Sequence, residues 1–320
     1  MLKDLVGDDL HQVNHLILDR MRSPVALIPT LAGHLINSGG KRIRPLLTLA
    51  SARLCGYDGT LHHNLAAAVE FIHTATLLHD DVVDESDNRR GQMTANVLWG
   101  NQASVLVGDF LFSRAFQLMV ECGDLRVLDI LSRASAIIAE GEVLQLSILN
   151  DLSTPEQTYY DMISAKTAAL FEAATRVGAV VSASTDAREQ ALLAYGQNLG
   201  IAFQLVDDAL DYSGLAADLG KSVGDDFKEG KITLPVLLAY ERSTSDERTF
   251  WVRTVEQLDQ TEEDLHHAVG RIAATGALEA TMAKARSYAA QSLEALSIFP
   301  PSRYRQALED VVEFAVSRRY

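Results

Sequence analysis

The sequence has little cysteine, little proline and no low-complexity stretch. Its two cysteines, Cys55 and Cys122, provide neither a disulfide framework nor a metal-binding knuckle, which favours a reducing compartment. Only 7 of the 320 residues are proline, and no Pro-, Gly- or Ser-rich linker interrupts the chain. A chain of this length often forms about two domains. Because no linker is visible, we expect a single domain over residues 1–320.

Positive charge and long apolar runs are also scarce. The chain has 28 Lys and Arg against 43 Asp and Glu, and its net charge of -15 argues against nucleic acid as the main partner. Its first residues are acidic where a signal peptide needs positive charge. No uninterrupted apolar run reaches the ~18 residues of a membrane span. We therefore expect a cytoplasmic protein that contacts a membrane at most peripherally.

Strand signals are largely missing, whereas helical segments recur throughout. Ala- and Leu-rich segments without period-2 alternation cover 61–81, 103–121, 124–149, 165–183, 186–212 and 276–297. Ser153-Thr154-Pro155-Glu156 and Ser245-Asp246-Glu247 are expected to cap helices at their N-termini. With 48% hydrophobic residues, the chain can build one large core. These features predict an all-α bundle of ten or more helices.

Two aspartate clusters share the spacing Asp-Asp-x-x-Asp. They are Asp80, Asp81 and Asp84 in the first cluster, and Asp207, Asp208 and Asp211 in the second. On a helix, the first and last carboxylates of each cluster lie one turn apart on the same face. Such carboxylates repel one another unless a cation lies between them, and hard oxygen ligands of this kind suit Mg²⁺ that also binds substrate phosphates. The pattern predicts a magnesium-dependent diphosphate site.

Basic residues accompany both clusters along the chain. They are Lys41 and Arg44 in the loop 39–44, Arg89 and Arg90 just after the first cluster, Lys166 beside Thr167, and Lys221 and Lys231 after the second cluster. A diphosphate needs its charge neutralised from several sides, and the guanidinium fork suits that role well. The acidic and basic groups together predict a site that binds metal and anion at the same time.

These motifs, in this order, resemble those of the trans-isoprenyl diphosphate synthases, or polyprenyl synthetases. The matching segments are GGKRIRP at 39–45, EFIHTATLLHDDVVDESDNRRG at 70–91, GEVLQL at 141–146, KTAALF at 166–171, GIAFQLVDDALDY at 200–212 and GKSVGDDFKEGKITLP at 220–235. The resemblance covers roughly residues 30–240. It implies the isoprenoid synthase fold, a helical bundle around a central cavity, and a homodimer in which the helix near 103–121 is a candidate for the interface.

The resemblance also implies a role for each site residue. Asp80, Asp84 and Asp207 would be direct ligands of Mg²⁺, with three ions per site, and the other three aspartates would bind directly or through water. The residues around the two substrate diphosphates are Arg89, Lys166 and Lys221 for the allylic substrate, and Lys41, Arg44, Arg90 and His73 for isopentenyl diphosphate, with Lys231 more peripheral. Thr167 and Gln204 would turn oxygen dipoles toward the developing carbocation.

The implied reaction is repeated ionisation, condensation and elimination, in which isopentenyl diphosphate extends an allylic diphosphate such as farnesyl diphosphate. Product length depends on what blocks the growing tail beneath Asp80. Ala75 and Thr76 are small where short-chain members of the family carry an aromatic residue. The wording HTATLLHDDVVDESD is most similar to that of the long-chain members. We therefore expect an all-trans product of C40–C50, used for quinone side chains.

Three other functions fit part of the pattern. A short-chain synthase making C15–C20 products would use the same chemistry. A terpene cyclase would use the same ionisation, but its second metal motif usually has an Asn/Ser/Glu pattern. A non-catalytic partner subunit would typically have lost aspartates, whereas this chain keeps all six.

Several residues have a purely structural interpretation. Arg42 is a candidate for an internal ion pair. The Phe110–Phe116 stripe is expected to pack in the core before it forms any tunnel floor. The pairs His62-His63 and His266-His267 lack partners at metal-ligand spacing, so both are expected at the surface.

Overall fold

The computed structural model describes residues 2–37, 40–89, 91–213 and 224–317, which are almost entirely helical. The α-helices are α1 (Leu2–Leu5), α2 (Gly7–Arg20), α3 (Leu27–Asn37), α4 (Ile43–Leu54), α5 (Leu61–Val83), α6 (Ala95–Trp99), α7 (Asn101–Glu121), α8 (Leu125–Ile148), α9 (Glu156–Ile163), α10 (Ala169–Val181), α11 (Asp186–Asp211), α12 (Asp225–Lys228), α13 (Leu234–Glu241), α14 (Ser245–Trp251), α15 (Glu262–Ala274), α16 (Ala277–Ala295) and α17 (Arg303–Ser317). The prediction of an all-α fold with ten or more helices is confirmed.

Short irregular elements connect some of these helices. Ser164–Ala168 and Val252–Glu256 are π-helical turns, and Leu296–Ile298 is a 3₁₀ turn. Strands β1 (Asn88–Arg89) and β2 (Gln92–Met93) form an antiparallel hairpin just after α5. The π-helical turn at 164–168 contains Lys166 and Thr167, and π-turns inside helices often occur at functional sites.

One predicted cap segment, 153–156, contains the observed N-cap of α9, and the other begins one residue after the N-cap of α14. Helix α14 is capped by Thr244, whose backbone N–H donates to Glu247 Oε2 at 2.8 Å, so the cap precedes the predicted Ser245. Helix α9 has Pro155 at its N-cap without a side-chain cap bond. Ser153 instead donates from its N–H and hydroxyl to Asp151 Oδ1. A turn built on Asp151 therefore replaces the expected cap.

The chain forms two compact units. The first contains Met1–Ser135, Leu170–Gly196 and Ala295–Val311, and the second contains Ala136–Ala169, Gln197–Glu294 and Val312–Tyr320. The first unit is built on α5, whose residues 65–72 are all buried. The second unit packs around large buried aromatic side chains, among them Tyr159, Tyr212 and Trp251.

Small residues allow the helices of the first unit to pack closely. A Cβ added at Gly108 of α7 would lie 2.3 Å from His79 Nε2 of α5, and one at Gly178 of α10 would lie 2.8 Å from the backbone N of Ala52 in α4. The hydroxyl of Ser104 donates to the Leu78 carbonyl at 3.0 Å. The contacts of Gly108 and Ser104 hold the C-terminal half of α5, where the first aspartate cluster lies.

Helix α7 combines a buried face with an exposed apolar one. By length and composition it could cross a membrane, although a core helix of a soluble protein passes the same test. Leu111, Ala115 and Leu118 are fully buried, whereas Leu106 and Val120 are 66% and 63% exposed. Phe116 is exposed as well, so the expectation that the Phe110–Phe116 stripe packs in the core is wrong at that residue. The exposed apolar side chains leave a surface on α7 suited to a protein partner or a membrane surface.

Two expectations about the first histidine pair are wrong, because His62 is not at the surface and Asp9 lies at metal-ligand spacing from both rings. His62 has no exposed surface, because the first turn of α5 packs into the first unit rather than against solvent. His266 and His267 of α15 are exposed, as the sequence predicted.

The tight packing at Gly178 predicts that Gly178→Ala lowers the free energy of unfolding by about 1–3 kcal/mol, because the new methyl group must displace the α4 backbone. Gly270→Ala is the matched control: it also replaces a helical glycine, with nothing within 4 Å of the new Cβ. We expect this control to stabilise the protein by up to about 1 kcal/mol. Urea unfolding of both variants measures the difference, and changes of the same sign would contradict the packing argument.

Candidate active site

The first aspartate cluster lies at the C-terminal end of α5. Asp84 donates its backbone N–H to the Asp80 carbonyl at 2.8 Å, so these two residues are one helical turn apart, as their spacing predicts. The helix ends at Val83, and Glu85 adopts the left-handed conformation with φ of 49°. The cluster therefore occupies a helix terminus where the chain turns into the β1–β2 hairpin.

The β1–β2 hairpin places Arg89 beside the first aspartate cluster. The Arg89 Nε and Nη2 atoms each lie 2.7 Å from Asp81 Oδ1. Asp81 is fully buried, and its Oδ2 has no hydrogen-bond partner among the residues that the structure describes. A buried carboxylate oxygen of this kind is costly unless a further group binds it.

Two basic side chains come into contact where α4 meets α5. Arg44 Nη1 lies 3.2 Å from His73 Nε2, and the Arg44 guanidinium lies 4.5 Å above the centre of the Phe171 ring. Arg42, in the left-handed region at φ of 54°, pairs with Glu70 and donates to the Ile36 carbonyl at 2.8 Å. Arg42 thus forms a structural ion pair with Glu70, next to Lys41 in the same loop.

The second cluster is held by a chain of hydrogen bonds. The Thr167 hydroxyl donates to Gln204 Oε1 at 2.8 Å, and Gln204 Nε2 donates to Asp208 Oδ1 at 2.7 Å. The Tyr159 hydroxyl donates to the other oxygen, Asp208 Oδ2, at 2.6 Å. Both oxygens of the buried Asp208 therefore accept a bond, which fixes the orientation of its carboxylate.

Negative charge is crowded around Asp208. Burial raises its pKa to about 7, as do the carboxylates of Asp226 and Asp207, against the opposing effect of the hydrogen bonds from Tyr159 and Gln204. The backbone N–H of Asp226 donates to Asp211 Oδ2 at 3.1 Å, which joins the start of α12 to the end of α11.

Lys166 lies on the π-helical turn and pairs with Glu142 of α8, at 2.7 Å between Nζ and Oε2. The neighbouring Gly141 allows this approach, since a Cβ there would lie 2.7 Å from the Lys166 backbone N. The wide turn and the glycine together place Lys166 and Thr167 beside α8.

A cavity of about 110 Å³ unites these groups in the second unit. The polar residues that line it are Gln145, Lys166, Thr167, Gln204, Asp208, Asp226, Lys231 and Thr233. Five of them are predicted site residues, although sequence separates them by up to 65 positions. Lys231 also pairs with Glu229 at 2.5 Å. The cavity combines carboxylates, lysines and neutral dipoles, which suits a metal–diphosphate complex.

Sequence reasoning missed three of the residues around this cavity as individual site residues. Glu142 and Asp226 belong to the matched segments GEVLQL and GKSVGDDFKEGKITLP, so the signal was present but unassigned. Tyr159 had no local signal, because its partner Asp208 is 49 residues away. Two predicted residues, Arg90 and Lys221, lie outside the described residues. Ala75 and Thr76, the residues predicted to set product length, lie on α5, and Ala75 is fully buried.

The residues present fit divalent cations bound through carboxylates. Asp81 has a buried oxygen without a partner, and Asp208 is surrounded by further carboxylates. Both clusters also lie in the last turns of their helices, where the backbone dipole is negative. Hard oxygen donors at such a place favour Mg²⁺-class ions over softer metals.

Comparison with known proteins identifies the class. A family model described as Polyprenyl synthetase matches residues 25–272. The octaprenyl diphosphate synthase of Escherichia coli is 45% identical over 317 residues, 99% of this chain and 98% of its own. These matches, together with the helical fold of this chain, make the protein an all-α enzyme of the isoprenyl synthase type.

Solved structures agree with this class. A polyprenyl synthase from Caulobacter crescentus, complexed with calcium and isoprenyl diphosphate, is 55% identical with a TM-score of 0.97, over 100% of this chain and 97% of its own. A decaprenyl diphosphate synthase from Rhodobacter capsulatus is 52% identical with a TM-score of 0.95, over 98% and 97%. The chain belongs to the polyprenyl synthetase family, and the prediction of a prenyltransferase is confirmed.

The hydrogen bond from Tyr159 predicts that Tyr159→Phe lowers kcat/KM for prenyl transfer by about 10- to 100-fold, since a bond to a charged group contributes about 1.5–3 kcal/mol. The matched control is Tyr160→Phe in the same helix, where the hydroxyl interacts with Glu156 instead. Steady-state kinetics at several Mg²⁺ concentrations compare the two. Equal effects of both changes would show that Tyr159 does not position Asp208.

Proposed function

We propose that the protein is a long-chain trans-prenyltransferase that condenses isopentenyl diphosphate repeatedly onto an allylic diphosphate and makes an all-trans C40–C50 polyprenyl diphosphate for quinone side chains. The observation that carries this proposal is the single cavity lined by Lys166, Thr167 and Gln204 together with Asp208 and Lys231. Relatives named octaprenyl and decaprenyl diphosphate synthases support the product range.

The metal is proposed to be Mg²⁺, three ions per site, held by the six clustered aspartates. A relative crystallised with calcium and isoprenyl diphosphate supports a divalent cation beside the substrate. When bound, the cations supply positive charge against the departing diphosphate. Asp80, Asp84 and Asp207 are the proposed direct ligands. Asp208, with both oxygens accepting hydrogen bonds, is suited to bind through water.

The residues of the second unit orient and ionise the allylic substrate. Lys166 and Lys231 line the cavity and can hold the leaving diphosphate, a role also proposed for Arg89 and Lys221. The Thr167 hydroxyl donates to Gln204 Oε1. The two oxygens therefore present neutral dipoles that can stabilise the developing positive charge. Because these dipoles are neutral, they can stabilise the allylic carbocation without a carboxylate that would form a bond to it.

The second substrate is assigned to the basic groups of the first unit. Arg44 and His73 contact each other, and the guanidinium is fixed over Phe171. With Lys41 and Arg90, these groups are proposed to hold the diphosphate of isopentenyl diphosphate, whose double bond then attacks the allylic cation. The proton lost afterwards is assigned to the departed diphosphate.

We further propose a single polyprenyl synthetase domain over 1–320 that works in the cytoplasm as a homodimer. The match to the E. coli relative over 98% of that protein supports the domain. The exposed Leu106, Phe116 and Val120 support α7 as the interface, with peripheral membrane contact for release of an apolar product. No role for nucleic acid is proposed.

The experiment that tests the function is a product-length assay. Purified protein is supplied with Mg²⁺, farnesyl diphosphate and labelled isopentenyl diphosphate, and the dephosphorylated products are sized by chromatography. We expect a ladder that ends at C40–C50. Termination at C15–C20 would identify a short-chain synthase, and no elongation would point to a cyclase or to a subunit that needs a partner.

Asp80→Ala is expected to lower kcat at least about 100-fold, or about 2.7 kcal/mol, because it removes a proposed ligand of the metal that stabilises the leaving group. The control is Asp129→Ala, which removes an exposed carboxylate paired with Arg133. Substrate dissociation constants measured beside kcat separate rate from binding. A loss within about tenfold would contradict the metal assignment of Asp80.

Ala75→Tyr is expected to shorten the product to about C15–C20, because Ala75 is fully buried one turn before the first cluster and a large ring there would block the tail. The control is Thr76→Ser, which keeps the hydroxyl that donates to the His73 carbonyl at 2.8 Å. The same chromatography measures both. An active Ala75→Tyr enzyme with unchanged product length would contradict the proposed path of the tail.

A further inference from the structure

A buried histidine at the start of α5 makes no well-aligned hydrogen bond among the described residues, although its Nε2 lies 3.3 Å from Asp9 Oδ1. His62 has no exposed surface, and neither of its ring nitrogens makes a hydrogen bond within the residues that the structure describes. Its ring packs edge-on against Tyr57, at 5.3 Å between centroids, and lies tilted by 32° against the ring of His63, at 4.2 Å. Burial and the neighbouring His63 lower the pKa of His62 to about 4. The ring is therefore neutral at pH 7 and has a nitrogen lone pair to offer.

Two further ligand groups face this ring. The Nε2 atoms of His62 and His63 lie 3.3 and 2.9 Å from Asp9 Oδ1 of α2, and one ligand atom from each residue fits within a 4.8 Å span. Ligands about 2.0–2.1 Å from a tetrahedral zinc ion are about 3.3 Å apart. The three atoms are thus close to a metal-ligand spacing before any side chain moves.

We propose that Asp9, His62 and His63 form a binding site for a divalent first-row transition metal of the zinc type. Two imidazoles and one carboxylate are borderline ligands that suit Zn²⁺, whereas the all-oxygen aspartate clusters suit Mg²⁺. The side chains of Asp9 and His63 are each 14% exposed, which provides an entry path and room for water as a fourth ligand.

The neighbouring Arg53 defines how strongly such a site binds. Its Nε and Nη2 atoms donate to the two oxygens of Asp9 at 2.9 and 2.7 Å. Although burial opposes it, hydrogen bonds from Arg53 and His63 hold the pKa of Asp9 well below its usual range, so the ligand is ionised at neutral pH. Oδ2 accepts only from Arg53 and keeps a second lone pair for a metal, and Oδ1 regains one when the His63 nitrogen becomes a ligand instead of a donor. The positive charge of Arg53 weakens binding, which makes the site a moderate one that fills when zinc is available.

The consequence of binding is structural. The metal links α2 to the first turn of α5, and Asp80 lies 18 residues farther along the same helix, about 27 Å at 1.5 Å per residue. The site is therefore separate from the catalytic aspartates, and its occupancy is expected to raise the melting temperature without being needed for prenyl transfer.

Cobalt titration of the full-length protein tests the proposal. Millimolar Mg²⁺ is present to occupy the aspartate clusters, and Co²⁺ reports nitrogen ligands through its visible absorption. We expect one equivalent of Co²⁺ to bind, Zn²⁺ to displace it, and Tm to rise by several degrees with Zn²⁺. His63→Gln is expected to weaken binding at least about 30-fold. The matched control replaces the exposed pair on α15, His266→Gln with His267→Gln, and should bind as the wild type does.

Several outcomes would overturn the proposal. One is the absence of Co²⁺ binding by the wild type in Mg²⁺, a result that needs no variant to fold. Another is unchanged binding by both His63→Gln and Asp9→Asn, whose melting temperatures without metal verify folding. A third is a cobalt spectrum lost in Asp80→Ala but kept in His63→Gln, which would place the ion at the aspartate cluster.

Discussion

Crowded negative charge at the ends of two helices is the constraint on which the rest of the site depends. Helices α5 and α11 each carry an aspartate cluster at the C-terminal end, and neither has a basic residue in its last turn. The backbone dipole adds partial negative charge at the same place. Three carboxylates at such an end are unfavourable without cations, and the ions that relieve this repulsion are the ones the chemistry needs. The repulsion between the carboxylates that destabilises the site without metal also makes metal binding favourable.

Neighbouring groups hold this charge and neutralise only part of it. Arg89 binds one oxygen of Asp81 and leaves the other, while Gln204 and Tyr159 donate one neutral hydrogen bond each to Asp208. Neutral donors orient a carboxylate but keep its charge for a metal, whereas a second arginine would compete with it. Close helix packing at Gly108 and Gly141 then fixes the backbone that carries these side chains. Precision in the site thus rests in part on small residues that let the helices approach closely.

The helices and the aspartate spacing could be predicted from the sequence because both depend on contacts within a few residues. The bounds of α5 and α11 follow from Ala- and Leu-rich periodicity, and the turn between Asp80 and Asp84 follows from helix geometry. Contacts between distant residues could not be predicted. Tyr159 and Asp208 meet through tertiary packing alone, and the burial of His62 depends on α2, far away in sequence. The cap at Thr244 was misplaced by one residue because Ser245 and Thr244 are equally suitable by type.

The π-helical turn at Ser164–Ala168 makes this part of the protein sensitive to chain length in a way that side-chain identity does not reveal. A wide turn accommodates about one residue more than an α-turn. Deleting a single residue there would close the wide turn into a regular α-helix and change the positions of the side chains that the turn carries. Lys166 would then move away from its partner Glu142, and Thr167 from its partner Gln204. Over evolutionary time, insertions and deletions are expected to be excluded from this segment even where substitutions are accepted.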